Sequence, residues 1–85
     1  MPLVLAALLL GGVASADDGL AVDARFDKTG DALVDASDWK RMSEEERMAY
    51  ARASVKALGE DPDVMLAGGE TRAQRYLRGL RAVYE

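Results

Sequence analysis

The chain contains no cysteine and no histidine. Without cysteine it cannot brace itself with disulfides and has no thiol to carry a lipid anchor. Lacking both residues, it has no zinc site of the ordinary kind, no hydroxyl–imidazole or thiol–imidazole nucleophile and no imidazole acid or base. Carboxylate pairs can act on glycosides, but so short a chain has little room for a substrate cleft. An enzyme is therefore not expected. A basic excess is missing too: the net charge is −4, which argues against nucleic acid as a partner. The charge is unevenly spread, with ten acids against four bases over residues 17–46 and five against seven over 47–85. The two halves are expected to attract each other, or the basic last helix to face an acidic surface elsewhere.

Long apolar runs are also absent. Leu3 to Leu10 is mostly leucine, alanine and valine, followed by Gly11-Gly12 and Ala14-Ser15-Ala16. An apolar stretch of this length ending in an A-x-A-like triplet has the form of a secretory signal, although its N-terminal region has no Lys or Arg. A membrane span needs about 20 apolar residues, and Asp17-Asp18 interrupts the run well before that. The expectation is a signal peptide over 1–16, cleaved after Ala16. That leaves a single small helical domain over 17–85, periplasmic or secreted, with no stable membrane anchor after cleavage. A core of that size supplies only about 3–5 kcal/mol. Small exported domains usually add disulfides, a metal or a partner. With no cysteine, a bound cation or a partner is the remaining expectation.

Helix signals dominate the rest. Leu20, Val22 and Phe26 can line one side of a short entering helix, which Gly19 weakens. One helical turn can continue from Trp39 to Met42. Ser43-Glu44-Glu45-Glu46 is a capping box, and three glutamates in the first turn suit the helix macrodipole. The helix it opens should run to about Leu58, with Met48, Ala51, Val55 and Leu58 on one stripe and Gly59 as its stop. Asp61-Pro62 predicts a short helical turn over Pro62–Leu66, ended by Gly68-Gly69. Thr71-Arg72-Ala73-Gln74 is a second capping box. The helix after it, about Arg72 to Tyr84, places Ala73, Tyr76, Leu77, Leu80, Val83 and Tyr84 on one face, with Arg72, Arg75, Arg78 and Arg81 on the other as a solvated row.

The chemistry is concentrated between Phe26 and Trp39, where acidic or hydroxyl oxygens stand at positions 1, 3, 5, 9 and 12 of a loop. These fourteen residues resemble the EF-hand calcium-binding loop, whose ligands sit at 1, 3, 5, 7, 9 and 12. The resemblance implies side-chain oxygens from Asp27, Thr29, Asp31 and Asp35, a backbone carbonyl from Leu33, and closure by Asp38. Val34 fits the aliphatic position 8, and Phe26 and Trp39 fit the hydrophobic anchors of the flanking helices. Three residues depart from the pattern. Ala32 stands where glycine serves the sharp turn, at a cost of about 1 kcal/mol for a positive φ. Asp38 replaces the longer Glu, which makes six-coordinate binding and Mg²⁺ more competitive. Thr29 offers a neutral oxygen. There is no second loop, so a lone hand must pair through Val34 across a homodimer or be buttressed by its own helices as a monomer.

The fold expected is all-α: a small array of short helices around Trp39, Val55, Leu58, Tyr76, Leu77 and Leu80, with one EF-hand-like loop near its N-terminus. The function expected is binding of Ca²⁺, with Mg²⁺ as the rival ion, in an exported protein whose ion stabilises the fold or a form that binds a protein partner. The alternative is a cation-independent helical interaction protein such as an inhibitor, immunity or accessory subunit.

Overall fold

A computed structural model of the chain describes residues 16–85, so the segment read as a signal peptide lies almost wholly outside the described residues. Among the described residues four helices follow one another: α1 (Ala16–Phe26), α2 (Ala36–Arg41), α3 (Glu44–Ala57) and α4 (Arg72–Tyr84). The protein is all-α among the described residues, with one isolated antiparallel bridge between Met65 and Thr71. No described helix is long and apolar enough to cross a membrane.

α1 forms through Gly19 because tertiary packing outweighs the local propensity cost. Val22 is buried, and the Phe26 ring meets Tyr50 of α3 edge-on at 5.4 Å. Leu20, expected on the same side, is instead exposed. Arg25, in the last turn where a cation suits the macrodipole, lies 5.3 Å from the centre of the Phe26 ring.

Both expected capping boxes are made. Ser43 Oγ accepts from the Glu46 amide at 3.0 Å and Glu46 Oε1 accepts from the Ser43 amide at 2.9 Å. Thr71 and Gln74 do the same at 3.1 and 2.7 Å. α3 ends at Ala57, with Leu58 as its cap and Gly59 beyond it at φ +83°, the left-handed conformation that glycine adopts freely.

The short helix expected over Pro62–Leu66 does not form. Gly68 and Gly69, both at positive φ, turn the chain back on itself and give residues 62–66 partners across the turn. The carbonyls of Pro62 and Val64 accept from the amides of Ala73 and Arg72, and the Leu66 amide donates to the Glu70 carbonyl. Those cross-chain bonds replace the i→i−4 ladder a helix would need.

The core gathers around Trp39, which is 1% exposed, with Val22, Val34, Met42 and Tyr50. Phe26, Ala53, Ala57, Leu77, Leu80 and Tyr84 pack against it. Ala51, Val55 and Ala73 are also buried. Of the core expected from the sequence, Trp39 and Val55 are fully inside and Tyr76, Leu77 and Leu80 are half-buried. Leu58 is 60% exposed, and Val83, expected on the apolar face of α4, is 74% exposed. Leu58 is the cap beyond the last residue of α3, past the end of its packed stripe, while α3 packs against both α1 and α4 and buries Tyr50 besides Ala51 and Val55.

Candidate metal centre

The loop from Asp27 to Asp38 joins α1 to α2, and its shape is set by carboxylates that accept backbone amides. Asp27, the first residue after α1, draws the chain around itself. Its Oδ1 accepts from the Thr29 and Gly30 amides, each at 3.0 Å, and its Oδ2 from Gly30 at 3.0 Å and Ala32 at 2.9 Å. Ala32, at the sixth position, has φ +64°. Such a conformation costs an alanine about 1–2 kcal/mol, and the bond from its amide to Asp27 helps hold it there. Asp31 Oδ1 accepts from the Leu33 amide at 3.1 Å.

Asp38 fastens the two ends of the loop together. It is fully buried in the first turn of α2, with Oδ1 accepting from the Lys28 amide at 2.6 Å and Oδ2 from the Asp35 amide at 2.9 Å. Burial by itself would raise its pKa. The amide donors of Lys28 and Asp35, joined by the Thr29 hydroxyl, outweigh that effect and hold the carboxyl well below the ordinary carboxylate range. Asp27 is lowered as well, first by the Ala32 amide and then by those of Thr29 and Gly30. Both groups are therefore carboxylates at neutral pH.

The three aspartates converge. Asp27, Asp31 and Asp38 each bring a carboxylate oxygen within 4.8 Å of the other two. Thr29 Oγ1 lies among them, 3.3 Å from Asp27 Oδ1, 3.4 Å from Asp31 Oδ1 and 3.1 Å from Asp38 Oδ1. A hydroxyl has one proton to give, so it can donate to only one of the three at a time. At least two of these contacts therefore bring oxygen lone pairs together with no proton between them. Oxygens sharing an octahedral ion would be about 3.3–3.7 Å apart around Ca²⁺ and about 2.8–3.0 Å around Mg²⁺, from metal–oxygen distances of about 2.3–2.6 and 2.0–2.1 Å. The Thr29 contacts to Asp27 and Asp31 lie at the short end of the Ca²⁺ range, and the one to Asp38 falls between the two ranges. A donor set made only of oxygens, mostly anionic, suits a hard cation and not a soft one.

Of the other two expected ligands, Asp35 has its carboxylate engaged elsewhere. Asp35 is the N-cap of α2: its Oδ1 accepts from the Ser37 and Asp38 amides at 3.0 and 3.2 Å, in a third capping box with Asp38. It stands outside the three-carboxylate cluster. Leu33 gives its amide to Asp31, and its side chain is half exposed.

Asp23 and Tyr50, which no sequence motif marks, support the loop from behind together with Tyr84. Asp23 of α1 accepts from the Tyr50 hydroxyl at 2.8 Å through Oδ1 and from the Val34 amide at 3.1 Å through Oδ2. The Tyr84 hydroxyl donates to the Val34 carbonyl at 3.2 Å. Val34, the residue through which a second loop would have to pair, thus has both backbone groups engaged within the chain. Burial, followed by the Asp23 carboxylate, raises the Tyr50 pKa, so its hydroxyl stays a donor. Only the spacing of Asp23, one helical turn before Asp27, hinted at such a role.

The arginine row of α4 is not a bare cationic face. Arg72 pairs with Glu60, Arg75 and Arg78 share Glu70, and Arg81 reaches Glu44 at the start of α3. Comparison with protein-family models, with curated proteins and with solved structures found no match to this chain.

Proposed function

We propose that the loop over residues 27–38 is a single EF-hand-like site for a divalent cation, Ca²⁺ or Mg²⁺. In this reading the protein is a small exported, non-enzymatic binding protein, and the ion stabilises the fold or a form that engages a protein partner. One observation carries it: the Thr29 hydroxyl faces three carboxylates with a single proton to offer. A cation among Asp27, Thr29, Asp31 and Asp38 would turn that crowding into coordination. The positive φ of Ala32 and the helices on either side of the loop support the reading. So does Val34, whose intrachain bonds favour a lone site buttressed by its own helices over one completed by a second copy. An exported site meets high, steady calcium, so weak affinity suffices and a structural ion fits better than a signal.

The test is to titrate calcium into chelator-treated protein while following Trp39 fluorescence and the thermal midpoint. A saturable change with a raised midpoint is expected, and Asp31→Asn should abolish it. No response up to millimolar ion would overturn the proposal. The cation-independent interaction protein stays as a second reading because one observation favours it. Asp27 and Asp38 already have amide donors, so the loop keeps its shape through its own hydrogen bonds. In that reading the exposed Leu58, which lines a groove with Val55, Leu66 and Tyr76, would supply the partner-binding surface.

A further inference from the structure

Three contacts tie the far end of α4 to the loop. The Tyr84 hydroxyl holds the Val34 carbonyl at 3.2 Å. The Tyr84 ring lies 5.5 Å from the Trp39 ring at an interplanar angle of 32°. The Trp39 indole N–H donates to Glu85 Oε2 at 2.7 Å. Val34 lies between Asp31 and Asp38 in the loop, and Trp39 directly follows Asp38. The residues gripped by Tyr84 and Glu85 therefore bracket Asp38, the buried carboxylate of the cluster, on both sides in the chain. Arg47 holds Trp39 as well: its guanidinium lies 5.1 Å from the Trp39 ring centre and donates twice to the Trp39 carbonyl.

We propose that Tyr84 and Glu85 form a latch that positions the cation loop, so that ion binding and docking of the last turn of α4 strengthen each other. The proposal rests on the reading of the loop as a cation site and adds how that site is controlled. When the latch is closed, Val34 and Trp39 are fixed and the Asp31 and Asp38 oxygens are held toward Thr29. When it is open, the Val34 carbonyl loses its partner and the ring beside Asp38 loses its stack and its acceptor. The loop must then order itself as it binds, which lowers affinity. Linkage makes the effect reciprocal: whatever factor the latch adds to ion affinity, the ion adds to latch closure.

The experiment compares calcium affinity by calorimetry for the full chain and for Tyr84→Phe, Glu85→Ala and Glu85→Gln. Tyr84→Phe keeps the ring and removes the bond to Val34. Glu85→Gln keeps an acceptor for the indole, whereas Glu85→Ala does not. The loss of one such hydrogen bond should weaken calcium binding about three- to tenfold in Tyr84→Phe and Glu85→Ala, and Glu85→Gln should restore it. Arg78→Ala, on the same helix but paired to Glu70, should leave affinity unchanged and so separates the latch from general loosening. In the unsubstituted chain, calcium should slow solvent exchange of the Trp39 indole N–H relative to chelator. If the full chain binds calcium but Tyr84→Phe and Glu85→Ala bind it equally well, the latch is overturned and the site stands. If the full chain shows no calcium binding at all, the site itself is overturned, and the latch with it.

Discussion

Around the loop the carboxylates face backbone amides; along α3 and α4 they face guanidinium groups. Asp23, Asp27, Asp31, Asp35 and Asp38 accept N–H bonds that define where the chain goes between α1 and α2. Glu44, Glu60, Asp63 and Glu70 instead pair with arginines on helices and turns whose paths are already set by capping boxes and apolar packing. The two regions thus use charge for different purposes. Removing a carboxylate from the first reshapes the backbone, whereas removing one from the second takes away an exposed pair worth at most about 1 kcal/mol.

The comparison can be broken first where the two regions meet. Trp39→Ala empties the core shared by the loop and α4 and should cost about 3–5 kcal/mol, enough to leave so small a domain largely unfolded; loss of the cooperative thermal transition would report it. Asp23→Ala should come next. It leaves the Tyr50 hydroxyl and the buried Val34 amide without their acceptor, at a cost of about 1–3 kcal/mol readable by urea denaturation. An Arg78→Ala change under the same conditions should shift the midpoint little, since Arg78 is exposed and Glu70 keeps Arg75 as a partner.

Acid should separate the regions in the same order. The unfolded chain protonates its aspartates near their ordinary value of 3.8, while folded Asp27 and Asp38 hold out to lower pH. Between those values the unfolded state binds more protons, so stability falls with falling pH. That contribution is complete above pH 3.8 and disappears as pH drops through the lowered folded values. Amide exchange at Gly30 and Ala32 should accelerate before exchange within α3. The smallest effect has the opposite sign. Ala32→Gly removes left-handed strain and should stabilise the fold by about 0.5–1 kcal/mol after the added flexibility of the unfolded chain is counted, with a matching gain in calcium affinity.

What was readable in the sequence follows the same division. The Ser43 and Thr71 capping boxes and the Gly59 stop are local chemistry, and each is found where its spacing places it. The positive φ of Ala32 was also legible, because position 6 of such a loop demands it. The loop's supports were not. Asp23 and Tyr84 hold Val34 from two different helices while Tyr50, on a third, holds Asp23, and nothing in a linear pattern marks a hydroxyl that will cap a distant carbonyl. Asp35 shows a related difficulty: the same residue type at the same position serves as an ion ligand or as a helix cap, and the structure uses its carboxylate for the cap. Leu58 and Val83 went astray because periodicity does not say where a packed stripe ends. Leu58 lies beyond the last residue of α3, as its cap, while the end of α4 packs through Tyr84 and leaves Val83 outside.

The central claim concerns one ion among Asp27, Thr29, Asp31 and Asp38, and Asp31 is the cleanest place to test it. Asp27 and Asp38 hold the loop together through several amides, so their loss confuses binding with folding. Asp31→Asn keeps an acceptor for the Leu33 amide and removes one charge. Calorimetric titration of calcium into the full chain and into Asp31→Asn should give one ion per chain in the first and at least a tenfold loss of affinity in the second, with helical content unchanged. Equal heats in both, or none in either, would contradict the account.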